Sequence, residues 1–120
     1  MPVTSKQTRQ LAHSLRMAYS SGTTTLAVSV GSTWNWQLHE VRFNLSTGQG
    51  SGGDFSITIN SSVGAIHDFV LCSQNMIGLQ DLQYHPDEPV QLSAGDKVDM
   101  AWPNNTTNKF GLEVIYGNRE

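Results

Sequence analysis

The chain has 120 residues, with Lys+Arg 7 against Asp+Glu 10, a net charge of −3 and only 14% charged residues. That length makes one domain able to bury roughly two thirds of its unfolded surface; the lone Cys72 excludes an internal disulfide, and no Cys/His spacing matches a zinc site, so neither staple nor metal nor other cofactor is expected. The polar start Met1 to Lys6 lacks the apolar stretch of a secretion signal and no run is long enough to span a bilayer, so the expectation is a soluble protein made in a reducing cytoplasm, with no membrane partner.

Charge is unevenly placed. No acid precedes Glu40, whereas Lys6, Arg9 and Arg16 lie in the opening segment, which predicts a basic arm on an acidic body. Ser5 to Tyr19 lacks Gly and Pro, and Leu11, Leu15, Ala18 and Tyr19 fall at i, i+4, i+7 and i+8, one face of a short helix that Thr4 or Ser5 could cap. Isolated helices of that length are marginal in water. Residues 1–22 are therefore expected as an N-terminal arm, extended or made helical by docking, and residues 23–120 as a β-sandwich domain.

Thr23 to Val30 is β-branched, with Leu26, Val28 and Val30 on one side. After Gly31-Ser32, the residues Trp34, Trp36 and Leu38 share one parity and Val41, Phe43 and Leu45 the other, so the apolar face switches at His39-Glu40. This predicts a β-bulge there, bending one long strand so that it serves both sheets. A glycine-rich loop, 47–53, leads to a strand with Phe55, Ile57 and Ile59. Ile66 to Cys72 reads as a strand buried from both sides, and Gln74 to Gln83 as an irregular crossing with a strand ending at Tyr84. From Pro89 onward Val90 and Leu92 alternate, then Val98, Met100 and Trp102, then Phe110, Leu112, Val114 and Tyr116, with turn chemistry at Ser93 to Asp96 and at Pro103 to Asn108. Lys97 to Tyr116 is expected as a closing hairpin. The whole predicts an all-β fold, a single antiparallel β-sandwich of about seven or eight strands.

Chemistry is sparse. Gly48 to Gly53 is not followed by the lysine and helix that a phosphate loop needs. His13, His39, His67 and His85 are scattered, and a His67-Asp68 pair near Ser62 or Ser73 lacks any nucleophile signature, so no enzyme is expected and no catalytic residue is assigned. Asp81, Asp87, Glu88, Asp96 and Asp99 would suit Ca²⁺ only if they converged, and turn aspartates more often bond their own backbone. Trp34 and Trp36 share a face by period two and form the candidate platform for a glycan, with core packing or a protein contact as the alternatives. Basic residues interleaved with aromatics are absent, which disfavours nucleic acid as a partner. The sequons at Asn44, Asn60 and Asn105 are explained by composition.

The run Val90 to Trp102, with Leu92, Gly95, Asp96 and Val98 in the order Leu-x-x-Gly-Asp-x-Val, resembles the hairpin common in jelly-roll domains, trimeric receptor-ligand heads and carbohydrate-binding modules among them. With the short length, the polar arm and the closing Phe110 to Tyr116, the chain resembles small jelly-roll structural proteins of tailed bacteriophages, capsid decoration (cement) proteins in particular. The resemblance implies a virion protein on the capsid surface, bound to major capsid subunits, acting as a homo-oligomer, trimer or dimer. In that setting Arg9, Leu11, Leu15, Arg16 and Tyr19 of the arm are the expected partner contacts. A glycan-binding module or fibre tip using Trp34 and Trp36, and a head-tail neck or tail adaptor, are the alternatives.

Overall fold

The computed structural model describes residues 15–46, 53–104 and 107–118. These form nine strands: β1 (Leu15–Gly22), β2 (Leu26–Gly31), β3 (Trp36–Leu45), β4 (Asp54–Asn60), β5 (Phe69–Asn75), β6 (Asp81–Tyr84), β7 (Val90–Leu92), β8 (Lys97–Trp102) and β9 (Phe110–Asn118), with one 3₁₀ turn at Ala65–His67. One sheet has the order β1-β9-β3-β6, with β7 also on β3, and the other β2-β8-β4-β5; every pairing is antiparallel. The fold is all-β, two antiparallel sheets packed as a sandwich.

Alternation explains which side of each strand is dry. Phe43, Leu45, Leu112 and Val114 from the first sheet meet Phe55, Ile57, Met100 and Trp102 from the second in one buried cluster. Phe43 is its hub, stacked on Phe55 at 4.4 Å between ring centroids, edge-on to Trp102 at 5.4 Å and tilted on Phe110 at 6.2 Å. Burying one such side chain stabilises the fold by about 1.5–3 kcal/mol, and each favourable aromatic pair adds about 0.5–1.5 kcal/mol.

The switch in β3 is a bulge. Against β9, Leu38 pairs with Tyr116 and Glu40 with Ile115, so His39 is the extra residue. Its effect is to return the parity: Trp36, Leu38, Val41, Phe43 and Leu45 are all buried on the same core side. The expected bend between sheets does not occur, since β3 pairs only with β6, β7 and β9. A single inserted residue is compensated locally and needs no change of sheet.

Three further expectations are corrected. Leu15 to Gly22 is a strand in register with Gly117 to Phe110, so helix is excluded over Leu15 to Tyr19 and this part of the arm is built into the sandwich edge. Lys97 to Tyr116 is not a hairpin, because β8 and β9 lie in different sheets, as do β7 and β8. Alternation specifies a dry face, not a partner. β5 is an edge strand with Phe69 and Val70 exposed, and not a strand buried on both sides. A register shift against β4 makes Leu71 the extra residue there, which lets Leu71 and Cys72 both pack against the core.

The loop end opposite the Ser93–Asp96 turn is tied by Asn104, whose amide donates to the Thr24 and Asn108 carbonyls and whose Oδ1 accepts from the Asn108 N–H at 2.8 Å. Gly53 comes close to this end, accepting the Trp102 indole N–H, and a Cβ there would lie 2.5 Å from Pro103 Cγ.

Deleting His39 joins Leu38 directly to Glu40 and restores simple alternation from Trp36 to Leu45, so that variant is expected to keep a single cooperative thermal transition. Deleting Arg42, in the regular part of the strand, turns Phe43 and Leu45 outward where the bulge is kept and trades Val41 for Glu40 on the core side where it is given up, so its melting temperature is expected to fall well below that of the His39 deletion.

Candidate protein-binding surface

One end of the sandwich is organised by Asp96. The turn Ser93 to Asp96 between β7 and β8 closes with Asp96 N–H donating to the Ser93 carbonyl at 3.0 Å, and Gly95 at φ 89° supplies the left-handed residue that this turn requires. Asp96 Oδ2 accepts the Ser93 N–H at 2.9 Å, while Oδ1 accepts both the N–H and the hydroxyl of Ser62, at 2.8 and 2.9 Å, from the β4–β5 crossing. From the other side, the Gly95 N–H donates to the Ser32 carbonyl and the Ala94 N–H to Asn35 Oδ1, both in the β2–β3 loop. Two loops are thereby fastened to one turn. The Ser62 backbone N–H, then the Ser93 N–H and the Ser62 hydroxyl, hold the Asp96 carboxyl below the usual carboxylate range against a smaller upward push from burial.

What this latch holds up is apolar. Trp34, on the β2–β3 loop, is 69% exposed, and Val63 and Ile66 on the β4–β5 crossing are 75% and 86% exposed. The crossing feeds directly into Phe69 and Val70 of β5, and Ile77 stands exposed just beyond the strand's other end. The strand Phe-Val-Leu-Cys-Ser-Gln-Asn carries no charge and no proline, and among the described residues its outer edge pairs with no strand. Exposed large apolar side chains beside an unpaired sheet edge form a candidate docking surface.

The outer face of the first sheet is polar at the β3 bulge. Glu40, buried to 8% exposure, accepts from Arg42 Nε at 2.8 Å and from the Gln83 amide, and Arg42 reaches on to Glu113 at 3.3 Å. Arg42 and then Gln83 keep the Glu40 carboxyl low, and Glu40 in turn raises Arg42. Burial, then the charge of His85, lowers the His39 imidazole. The depressions on the outer faces, about 250 Å³ beside Ser29 and Asp99 and about 300 Å³ beside Arg42 and Gln83, are shallow and hold no convergent set of reactive groups.

The sequence candidates separate. Arg9 and Leu11 lie outside the described residues. Leu15, Arg16 and Tyr19 stand on β1 in register with Gly117, Tyr116 and Glu113. Trp34 and Trp36 do not make a pair: Trp36 is fully buried with its ring edge-on to Tyr116 at 5.6 Å, because the strand begins at Trp36 and Trp34 precedes it in the turn. Of the acids, Asp96 is committed to Ser62 and Ser93, Asp99 bonds Ser29 and Asn60, and Asp68 accepts the Ser61 N–H. Among the described residues no group of three or more His, Cys, Asp or Glu side chains stands together as a metal site. Cys72 is half-buried, and burial pushes its thiol up. No helix among the described residues is long and apolar enough to cross a membrane.

Sequence reasoning missed Val63, Ile66, Phe69 and Val70 as surface groups. Their apolar character was legible; their exposure was not, because that depends on β5 taking an edge position. Comparison with protein-family models and with curated proteins finds no match to the chain.

Replacing Asp96 by Asn leaves one carbonyl oxygen to serve partners now shared between two, so Asp96→Asn is expected to lower unfolding stability by about 1 kcal/mol at pH 7. The Asp96 contribution is present above the unfolded value near pH 4 and is lost as pH falls through the lower folded value. Urea unfolding of both proteins at pH 7 and pH 3 checks the sign: the difference between them shrinks at the lower pH.

Proposed function

We propose that this chain is a structural subunit that binds other protein subunits, and that it decorates a phage head by seating on the outer surface between major capsid subunits. The observation that carries the protein-binding part is the rigid apolar surface of Trp34, Val63, Ile66 and the uncharged β5 edge, set on a scaffold whose polar groups are committed to holding loops. An aromatic anchor with aliphatic neighbours on pre-ordered loops is the composition of an interface hot spot.

The finer fold assignment in this reading is a jelly roll. The orders β1-β9-β3-β6 and β2-β8-β4-β5 support it, because with β6 and β7 taken as one interrupted strand on β3 the partners nest, first with last inward to β4 with β5. Long nested antiparallel pairs rolled into two sheets define that topology. The resemblance of the Leu92 to Val98 run points the same way.

The arm belongs to the same reading, with altered bounds. Residues 15–22 are committed to β9, so a clasp would use residues 1–14, with Arg9 and Leu11 as its contacts and the strand bearing Leu15, Arg16 and Tyr19 as the root that ties it to the sandwich. The glycan reading loses its tryptophan pair, since Trp36 is in the core.

Mixed with purified heads of the encoding phage, the chain is expected to co-sediment at a fixed ratio to the major capsid subunit and to raise the temperature at which heads open. Trp34→Ala is expected to weaken binding about 30-fold or more without changing the melting temperature of the free protein. Removal of residues 1–14 is expected to lower occupancy further. Full occupancy by both variants would sink the proposal.

A further inference from the structure

We infer that β5 pairs edge to edge with β5 of a second copy, antiparallel about a two-fold axis at Ser73, joining two four-stranded sheets into one of eight. The inference rests on the reading of this surface as protein-binding and gives its β5 part to a second copy, leaving Trp34 and Val63 for the capsid subunits. Among the described edge strands, β5 alone combines absence of charge and proline with exposed large apolar side chains; β2, the other edge of its sheet, exposes the small residues Ala27 and Ser29.

The arrangement is self-complementary. With Leu71 as the extra residue, an axis at Ser73 keeps the side-chain faces matched, setting Val70 of one copy beside Asn75 of the other and Cys72 beside Gln74, so no like charges meet across the seam. It also carries the Ile77 end of each strand to the Ile66 end of its partner, and both isoleucines are exposed, at 60% and 86%. Exposed groups at both ends of a strand are what antiparallel self-pairing buries. Ile66, Phe69, Val70 and Ile77 together offer roughly 500 Å² per copy, about 1,000 Å² for the pair before the main chain is counted, the size at which a specific interface begins. Outward-facing N–H and C=O groups along the edge supply the ladder. The extra residue Leu71 adds local twist to the strand, and the two-fold axis meets it with the same twist in the second copy.

Sedimentation of the purified full chain, with no capsid present, tests this. The wild type is expected to be a dimer at micromolar concentration, and Val70→Lys and Gln74→Lys, both at exposed positions, are each expected to raise the dissociation constant at least about tenfold while keeping the wild-type melting profile. Ala27→Lys, on the β2 edge, is expected to leave the dimer intact. A monomeric or trimeric wild type overturns the pairing, as does a dimer that withstands both lysines or that dissociates only when residues 1–14 are removed. A monomer that still binds heads defeats the pairing alone; a β5 dimer that ignores heads defeats the decoration reading alone.

Discussion

The structure depends on Phe43 facing inward. Its ring bridges the two sheets, meeting Phe55 and Trp102 of the opposite sheet and Phe110 of its own. It faces inward only because His39 is an extra residue in β3: without a bulge at that point, a strand that buries Trp36 and Leu38 would turn Val41, Phe43 and Leu45 to water. The bulge exposes neither half, and the buried Glu40 beside it is tolerable because Arg42 and Gln83 both donate to its carboxylate.

That part of the fold was legible because period and parity are properties of sequence alone. The strands β2, β3, β4, β8 and β9 and the position of the bulge follow from alternation. What alternation cannot encode is the partner of each strand, so the apparent hairpin from Lys97 to Tyr116 resolves into two strands in different sheets. β1 was obscured for a different reason: Leu11, Leu15, Ala18 and Tyr19 fit a helix face while Leu15, Met17 and Tyr19 also alternate, and the free edge of β9 decides between them. The candidate surface was the least legible element. An apolar run such as Phe69 to Cys72 reads as core unless the sheet order is known.

Asp96 and Asn104 act as fastenings at the two ends of the sandwich. Asp96 ties the β4–β5 crossing to the β7–β8 turn at one end, and Asn104 ties the β1–β2 loop to the β8–β9 loop at the other. Loops held this way lose little freedom on contact with a partner, so more of the apolar burial is realised as affinity. The Gly-Asp element of the Leu92 to Val98 run acts in the same sense, as a device for positioning loops.

The four outer edges of the sandwich differ in how they are protected. Among the described residues, the edge formed by β6 and β7 is interrupted by Pro86, Asp87, Glu88 and Pro89, β1 carries Arg16, and β2 exposes only small side chains. Proline, charge and brevity are the usual means of keeping sheets from joining. β5 has none of the first two, and its exposed neighbours Ile66 and Ile77 extend the apolar run at both ends. A chain at risk of edge-to-edge association gains nothing from leaving one edge open in this way unless that edge is covered in use. The contrast between β5 and the other three edges is therefore a stronger statement about assembly than the exposure of any one side chain.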